Sequence, residues 1–257
     1  MASSLRIAIL RSDEPHHHAL DASLSSRFDV VASVVEPHVA QMTRLKRKKL
    51  NRSLFWYRYH ALRRKLFGLS EYRRRYFAHS RMPSDSHATR ITVDDINCGE
   101  VVELLRQTAP DITVIIGTSI LKLDVLRATD GPIINVHGGF LPSYRGNHCF
   151  FFALLDEAYD KIGSTIHFVD EGVDTGDIIA HAVPRRCVAD TPESLYCRAS
   201  ALAIRRLVGL LVALERGMPL PRCEQVGAGR TYKTADRKPH HEILYWIKWA
   251  VRRLMVS

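Results

Sequence analysis

The chain has 257 residues, is 46% hydrophobic and carries a net charge of +10, which suits one large folded domain or one domain with an appendage. No window approaches the roughly 18 unbroken apolar residues that span a bilayer. The opening MASSLRIAILRSDEP shows no basic leader, long apolar run or small-residue cleavage site, so a cytoplasmic location is expected.

LRIAIL (5–10) and FDVVASVVE (28–36) read as short buried strands with a helical stretch between them, the start of an α/β sheet. His16, His17 and His18 follow the first strand. Three consecutive histidines cannot all face one ion on a regular element, so a loop over that strand is expected and no metal site. From 41 to 90 the charge concentrates: fifteen Lys or Arg against Glu71 and Asp85 give +13, leaving −3 for the rest of the chain. Leu, Phe, Trp and Tyr are interleaved at loosely helical spacing, which predicts a basic helical insert closed by a loop in MPSDSH (82–87). DDINCGEVVELLRQTAPD then reads as a capped amphipathic helix, ITVIIGTSI as a buried strand, LKLDVLRA as a short helix and GPIINVH as the next strand. GNHCFFFALLDEA reads as a helix, and GSTIHFVDEGVDTGDIIAHAVP as two strands flanking a Gly- and Asp-rich loop. TPESLYCRASALAIRRLVGLLVALERG is a long helix with Thr191 at its N-cap. The five cysteines are odd in number and include no Cys-x-x-Cys pair, which fits free thiols in a reducing compartment.

The expected fold class is α/β: a Rossmann-like, mixed or mostly parallel sheet flanked by helices. Residues 1–220 form the main domain, with the basic insert at 41–90. Residues 221–257 form a C-terminal extension with a short basic amphipathic helix, EILYWIKWAVRRLM, too brief to span a membrane.

The strand IINVH carries Asn135 and His137. Side chains at i and i+2 share one face of a strand, so these two point together while Ile134 and Val136 face the core. Asp174 stands 37 residues beyond His137, in DEGVDTGD. An Asp beside a His sets its tautomer and favours the imidazolium, and an Asn can donate to a developing oxyanion. Such a trio suits attack of an amine on a carbonyl; an Asn and a His at a strand end are equally compatible with a satisfied polar pair.

The string INVHGGFLPSYRG followed by GSTIHFVDEGVDTGDII resembles the formyltransferase family, whose members include glycinamide ribonucleotide, methionyl-tRNA and sugar-nucleotide N-formyltransferases. The resemblance covers about residues 92–220. The family's Asn-x-His, Leu-Pro-x-x-Arg-Gly turn and loop Asp fall on Asn135, His137, Leu141 to Gly146, and Asp174, with the His-to-Asp spacing one residue longer than usual. It implies transfer of a formyl group from 10-formyltetrahydrofolate to a primary amine, with catalytic Asn135, His137 and Asp174 and no metal. It also places the pterin between the run Ser119, Ile120 and Leu121 and the loop of Val169, Asp170, Glu171, Gly172 and Val173, read by backbone groups. Many relatives have Arg where this chain has Ser119. Arg145, Asn147 and His148 are candidates for acceptor binding, although Arg145 can equally bridge locally and His148 can be a surface helix residue. Cys149 is near the site, where the chemistry needs no thiol.

Among subclasses, RSDEPHHHALDAS replaces the Gly- and Ser-rich phosphate loop expected of the glycinamide ribonucleotide enzymes, and the tail leaves no room for the barrel of the methionyl-tRNA enzymes. The implied acceptor is therefore an amino-deoxy sugar on a nucleotide. The alternatives are a methionyl-tRNA-like or other small-amine enzyme, or a non-catalytic binding module of the same fold. A dinucleotide enzyme is disfavoured because no G-x-G-x-x-G follows the first strand. The basic insert has three readings: a solvated helical pair packed on the domain, attachment to an anionic membrane surface that makes the protein peripheral to the inner face, or nucleic-acid binding. A homodimer is a compatible assembly.

Overall fold

A computed structural model describes residues 4–80, 82–83, 87–187, 189–227 and 229–256; the loop expected at 82–87 lies in part outside the described residues. The strands are β1 (Arg6–Arg11), β2 (Asp29–Val35), β3 (Thr89–Thr92), β4 (Ile112–Ile116), β5 (Ile133–His137), β6 (Tyr144–Gly146), β7 (Ser164–Phe168), β8 (Ile178–Ala182) and β9 (Arg230–Tyr232). The helices are α1 (Pro15–Ser25), α2 (His38–Arg47), α3 (Asn51–Leu66), α4 (Leu69–Tyr76), α5 (Gly99–Thr108), α6 (Leu123–Leu126), α7 (Cys149–Leu155), α8 (Pro192–Glu215) and α9 (Pro239–Val256).

Seven strands form one sheet in the order β3-β2-β1-β4-β5-β7-β8, parallel from β3 through β5. β7 and β8 extend it antiparallel, so the sheet is mixed and mostly parallel with helices on both faces. The central strands read as apolar runs because both faces are covered. Ile7, Ile9, Val114, Ile134 and Val136 pack with Leu20 of α1 and Leu207 and Leu211 of α8. Ala8, Leu10 and Ile115 pack on the other face with Val101 and Leu105 of α5 and Val125 of α6. Each large side chain so buried stabilises by about 1.5–3 kcal/mol. β6 and β9 pair apart from the main sheet, beside a third cluster in which Phe150 to Leu155 of α7 meet Tyr232 and Tyr245.

α8 starts where the sequence places it. The Thr191 hydroxyl accepts from Ser194 N, Ser194 returns a bond to the Thr191 amide, and Pro192 occupies the first turn, a cap of about 1 kcal/mol. Three expectations change. The histidines follow Pro15 into the first turn of α1, where His16 and His17 are buried, because proline is pre-organised for a helix start and the ring faces pack inward. The helix expected from Asp94 starts at Gly99 and has no side-chain cap bond. The insert is three helices, α2 to α4, and not a pair, and Thr89–Thr92 adds an edge strand whose polar sequence hides it.

The insert is anchored by buried charge. Arg44 binds Glu36 at 2.7 Å and Asp95 at 2.8 Å. Arg73 pairs with Glu193 and, at 3.3 Å, with Glu14. His60 Nε2 lies 3.0 Å from Thr234 O.

Candidate active site

β5 delivers Asn135 and His137 to one face and the antiparallel neighbour completes the set: Asn135 is paired with His167, and His137 with Thr165. β7 leaves the sheet at the start of β5, where Val169 N donates to Ile133 O at 2.8 Å. The following loop carries the chain back along β5, so Asp174 meets the end of that strand. There its backbone is left-handed, φ 55°, and Gln225 Nε2 holds its carbonyl at 3.0 Å.

The Asp174 carboxylate is the hub. Oδ2 accepts from Gly146 N at 3.0 Å. Oδ1 lies 3.6 Å from His137 Nδ1 and 3.7 Å from His167 Nε2, and 3.5 Å from Asn135 Nδ2. Asn135 Nδ2 is 3.1 Å from His167 Nε2, and His167 Nδ1 is 2.7 Å from Phe168 O. The second contact requires the proton on Nδ1, so Nε2 is a lone pair that accepts from the Asn135 amide. Burial, followed by the neighbouring His137, pushes His167 down to about 4, which keeps that ring neutral and the amide orientation fixed. Cys149 Sγ is 3.7 Å from His137 Nε2. Burial and then the Asp174 carboxylate raise this thiol, so it stays protonated. The turn after β5 needs Gly139: a Cβ there would stand 2.6 Å from His137 Nε2. Thr165 pins the same turn by donating to Gly139 O at 2.7 Å and accepting from Leu141 N at 3.0 Å.

These groups form the floor of a cavity of about 520 Å³. Ser119, Ile120, Leu121, Val169, Asp170, Gly172 and Val173 line one side; Glu171 is exposed and outside the lining. Ser119 N is committed to Glu36 Oε2 at 2.9 Å, and the Ser119 hydroxyl binds Arg44. Asn97 Nδ2 donates to Ile120 O at 3.1 Å. Asp170 Oδ1 accepts from Gly172 N at 3.0 Å and from Thr175 Oγ1 at 2.7 Å, which shapes the loop.

Asn147 and His148 line the other side, with His16, His17, Tyr57, Arg63, Arg64, Arg73, Arg237, Glu193 and Tyr196. Arg145 lies outside the lining and donates to Gln225 Oε1 at 3.0 Å. The His148 ring packs against His60 of the insert, centroids 4.4 Å apart and planes tilted by 47°. Burial and then Arg237 hold it well below the usual histidine range. His16 Nε2 is 2.8 Å from the Tyr196 hydroxyl, and Gly117, φ 67°, leaves the room His17 takes, since a Cβ would fall 2.2 Å from its Cε1. Among the described residues no group of His, Cys, Asp or Glu is placed to hold a metal ion.

Sequence reasoning missed His167, Thr165 and Glu36. The first two had a signal: STIHF puts Thr165 and His167 on one face of a strand by the same i, i+2 rule. Glu36 had none, since its partners come from three separate segments: Gln41 and Arg44 of α2, Ile96 N and Ser119 N. It is wholly buried. Glu36→Ala is expected to cost about 3 kcal/mol, because Arg44, the buried Ile96 amide and the half-buried Ser119 amide lose this acceptor. Urea unfolding measures this, and an unchanged midpoint would show that the carboxylate does not tie the insert to this wall.

A mostly parallel sheet with a polar trio and a deep cleft at the strand ends defines an α/β enzyme-like domain of the kind that binds small molecules there. Residues 64–210, more than half of the chain, match the formyl transferase family model, and the chain belongs to that family. It is 35% identical over 151 residues to the methionyl-tRNA formyltransferase of Burkholderia orbicola, covering 58% of this chain and 45% of that protein. Thus the chain spans less than half the length of such curated relatives. In fold it is similar to a 4-N formyltransferase from Francisella tularensis, with TM-score 0.59, 14% identity, and coverage of 95% of this chain and 87% of the other. It is likewise similar to glycinamide ribonucleotide transformylase 1 from Symbiobacterium toebii, with TM-score 0.56, 21% identity, and coverage of 88% and 95%.

Proposed function

We propose that this protein moves a formyl group from 10-formyltetrahydrofolate to a primary amine, and that the acceptor is an amino-deoxy sugar carried on a nucleotide. The observation that carries the reading is the convergence of Asn135, His137 and Asp174 on the floor of one cavity.

The folate fits by chemistry and shape. The run 119–121 and the loop 169–173 offer backbone groups and apolar side chains at one side of the cavity. Because the Ser119 amide is spent on Glu36, the pterin edge would be read by Leu121 and the loop. The folate supplies the activated formyl carbon. Asn135 has one amide hydrogen held by His167 and a second, loosely placed 3.5 Å from Asp174, that can turn to an oxygen gaining charge. His137 in its charged form would donate to the same oxygen. With His137 charged, the Asp174 carboxylate beside its Nδ1 would take the proton from the incoming amine through a water and return it to the departing nitrogen.

The acceptor side supports an anionic small molecule. Arg63, Arg64, Arg73 and Arg237 line it against Glu193 and Glu242. Burial, then Arg63, lowers Arg237 to about 10, so it remains a cation at neutral pH and suits a diphosphate. Turnover of 10-formyltetrahydrofolate with a panel of amino-sugar nucleotides, simple amino sugars and methionyl-tRNA tests the assignment. Release of tetrahydrofolate with at least one amino-sugar nucleotide is expected. Turnover on methionyl-tRNA alone would replace the acceptor, and no turnover and no folate binding would leave the fold without this activity.

A further inference from the structure

We propose that the outward face of α9, together with the end of α3, is a docking surface for an anionic lipid bilayer. α9 is arranged the wrong way round for a helix in water. Apart from the exposed Arg253, its charges and the Trp249 indole turn inward: Lys248 Nζ donates to Leu155 O at 3.0 Å, Arg252 stands 3.8 Å from Glu157 and bonds the Tyr159 hydroxyl, and Trp249 Nε1 donates to Asp190 O at 3.2 Å. Its outward face carries Ile243, Ile247 and Val251, successive at i+4, with exposures of 63%, 56% and 44%. An ordinary surface helix has the opposite distribution.

The apolar face continues across the helix boundary. Phe67 and Leu69 meet Ile243, Trp246, Ile247 and Ala250 along one groove, and Leu66 and Phe67 are 73% and 65% exposed. Lys65, exposed, lies within the stretch 41–90 that carries +13, and Arg253, also exposed, lies over the Trp249 ring of α9. Glu242, the acid in the groove, is held by Arg237 at 2.6 Å and Arg63 at 3.5 Å.

The charge selects the occupant. A second copy would set two strongly basic faces against each other. A nucleic acid could stack on Phe67 and Trp246 of the groove but would gain nothing from the Ile243, Ile247 and Val251 stripe. An anionic bilayer uses both parts, the stripe entering the headgroup boundary and the bases meeting its phosphates. No described helix is long and apolar enough to cross a membrane, so the contact is interfacial. Arg63, Leu69, Glu242 and Trp246 line both this groove and the catalytic cavity. On the formyl-transfer reading, on which this last step rests, docking would hold the cavity mouth at the bilayer surface.

The full chain is mixed with vesicles of phosphatidylcholine, alone or with phosphatidylglycerol, and with tRNA, and binding is read by sedimentation over a salt series. Binding to the phosphatidylglycerol vesicles that weakens with salt is expected. Ile243→Glu/Ile247→Glu should weaken it at least about tenfold, and Lys65→Glu/Arg253→Glu should reduce its salt dependence, both with unchanged circular dichroism and Tm. Equal binding by the Ile243→Glu/Ile247→Glu variant, absence of vesicle binding by the native chain, preference for tRNA, or a native dimer that this variant converts to monomer would each overturn the proposal. The readout is independent of turnover, so an inactive but vesicle-bound protein would fail the functional reading and not this one.

Discussion

Asn135→Ala is expected to lower kcat for formyl transfer by about 10²- to 10³-fold, the usual cost of removing one oxyanion donor, about 3 kcal/mol of barrier. His137→Ala should cost as much or more, since its charged ring donates to the same oxygen and stands beside the Asp174 carboxylate that handles the proton. KM for folate should change little in either, because neither side chain belongs to the walls formed by residues 119–121 and 169–173. The double variant should be scarcely worse than His137→Ala, as groups that act on one oxygen are not additive. Asp174→Asn separates roles: it keeps an acceptor for Gly146 N while removing the charge beside His137, so activity falls with the fold intact. Steady-state kinetics with thermal melts checks all four variants. Near-native kcat in Asn135→Ala would remove the amide from the chemistry.

The second large effect is on stability in acid. Burial holds His17 at about 4, and burial followed by His137 holds His167 at about 4, against about 6.5 in an unfolded chain. Between those values the unfolded state takes up protons that the folded state refuses, so stability rises with pH across about 4 to 6.5 and is fully present above it. At pH 5 each ring costs about 2 kcal/mol. His16 and His148, also lowered mainly by burial, act in the same direction. The sum is a large part of the roughly 5–15 kcal/mol that holds a domain folded. Asp21 acts in a lower window. Burial opposes its charge, but the Ser33 hydroxyl, Arg11 and Arg90 outweigh that and bring it below the usual carboxylate value; its contribution is present above about pH 4 and is lost as the pH falls further. Urea unfolding at pH 7 and pH 5 should therefore differ by about 4 kcal/mol or more, and His167→Gln should flatten part of the slope. Stability constant to within about 1 kcal/mol over that range would mean that these rings are not held neutral.

The family of this chain was legible in the resemblance of INVHGGFLPSYRG and GSTIHFVDEGVDTGDII, and the pairing of Asn135 with His137 was legible because strand periodicity is local: Ile134 and Val136 had to face a core, which left those two together. The long helix was legible from Thr191 and Pro192 for the same reason. The helical insert was legible as charge and spacing, but not as three helices, since its anchors Arg44 and Arg73 pair with acids that are remote in sequence or come from other elements. His167 became a site residue only when β7 paired antiparallel with β5, and Glu36 only when three segments closed around it. Whether α9 shows water its charged or its apolar side was likewise undecided by its sequence. EILYWIKWAVRRLM allows either face to pack, and Glu157, Tyr159 and Asp190, brought together by the fold, draw the polar groups inward. Hydrophobic pattern and turn chemistry are read along the chain; which buried charge meets which, and which helix face is left without a cover, depends on contacts that exist only after the chain has closed on itself.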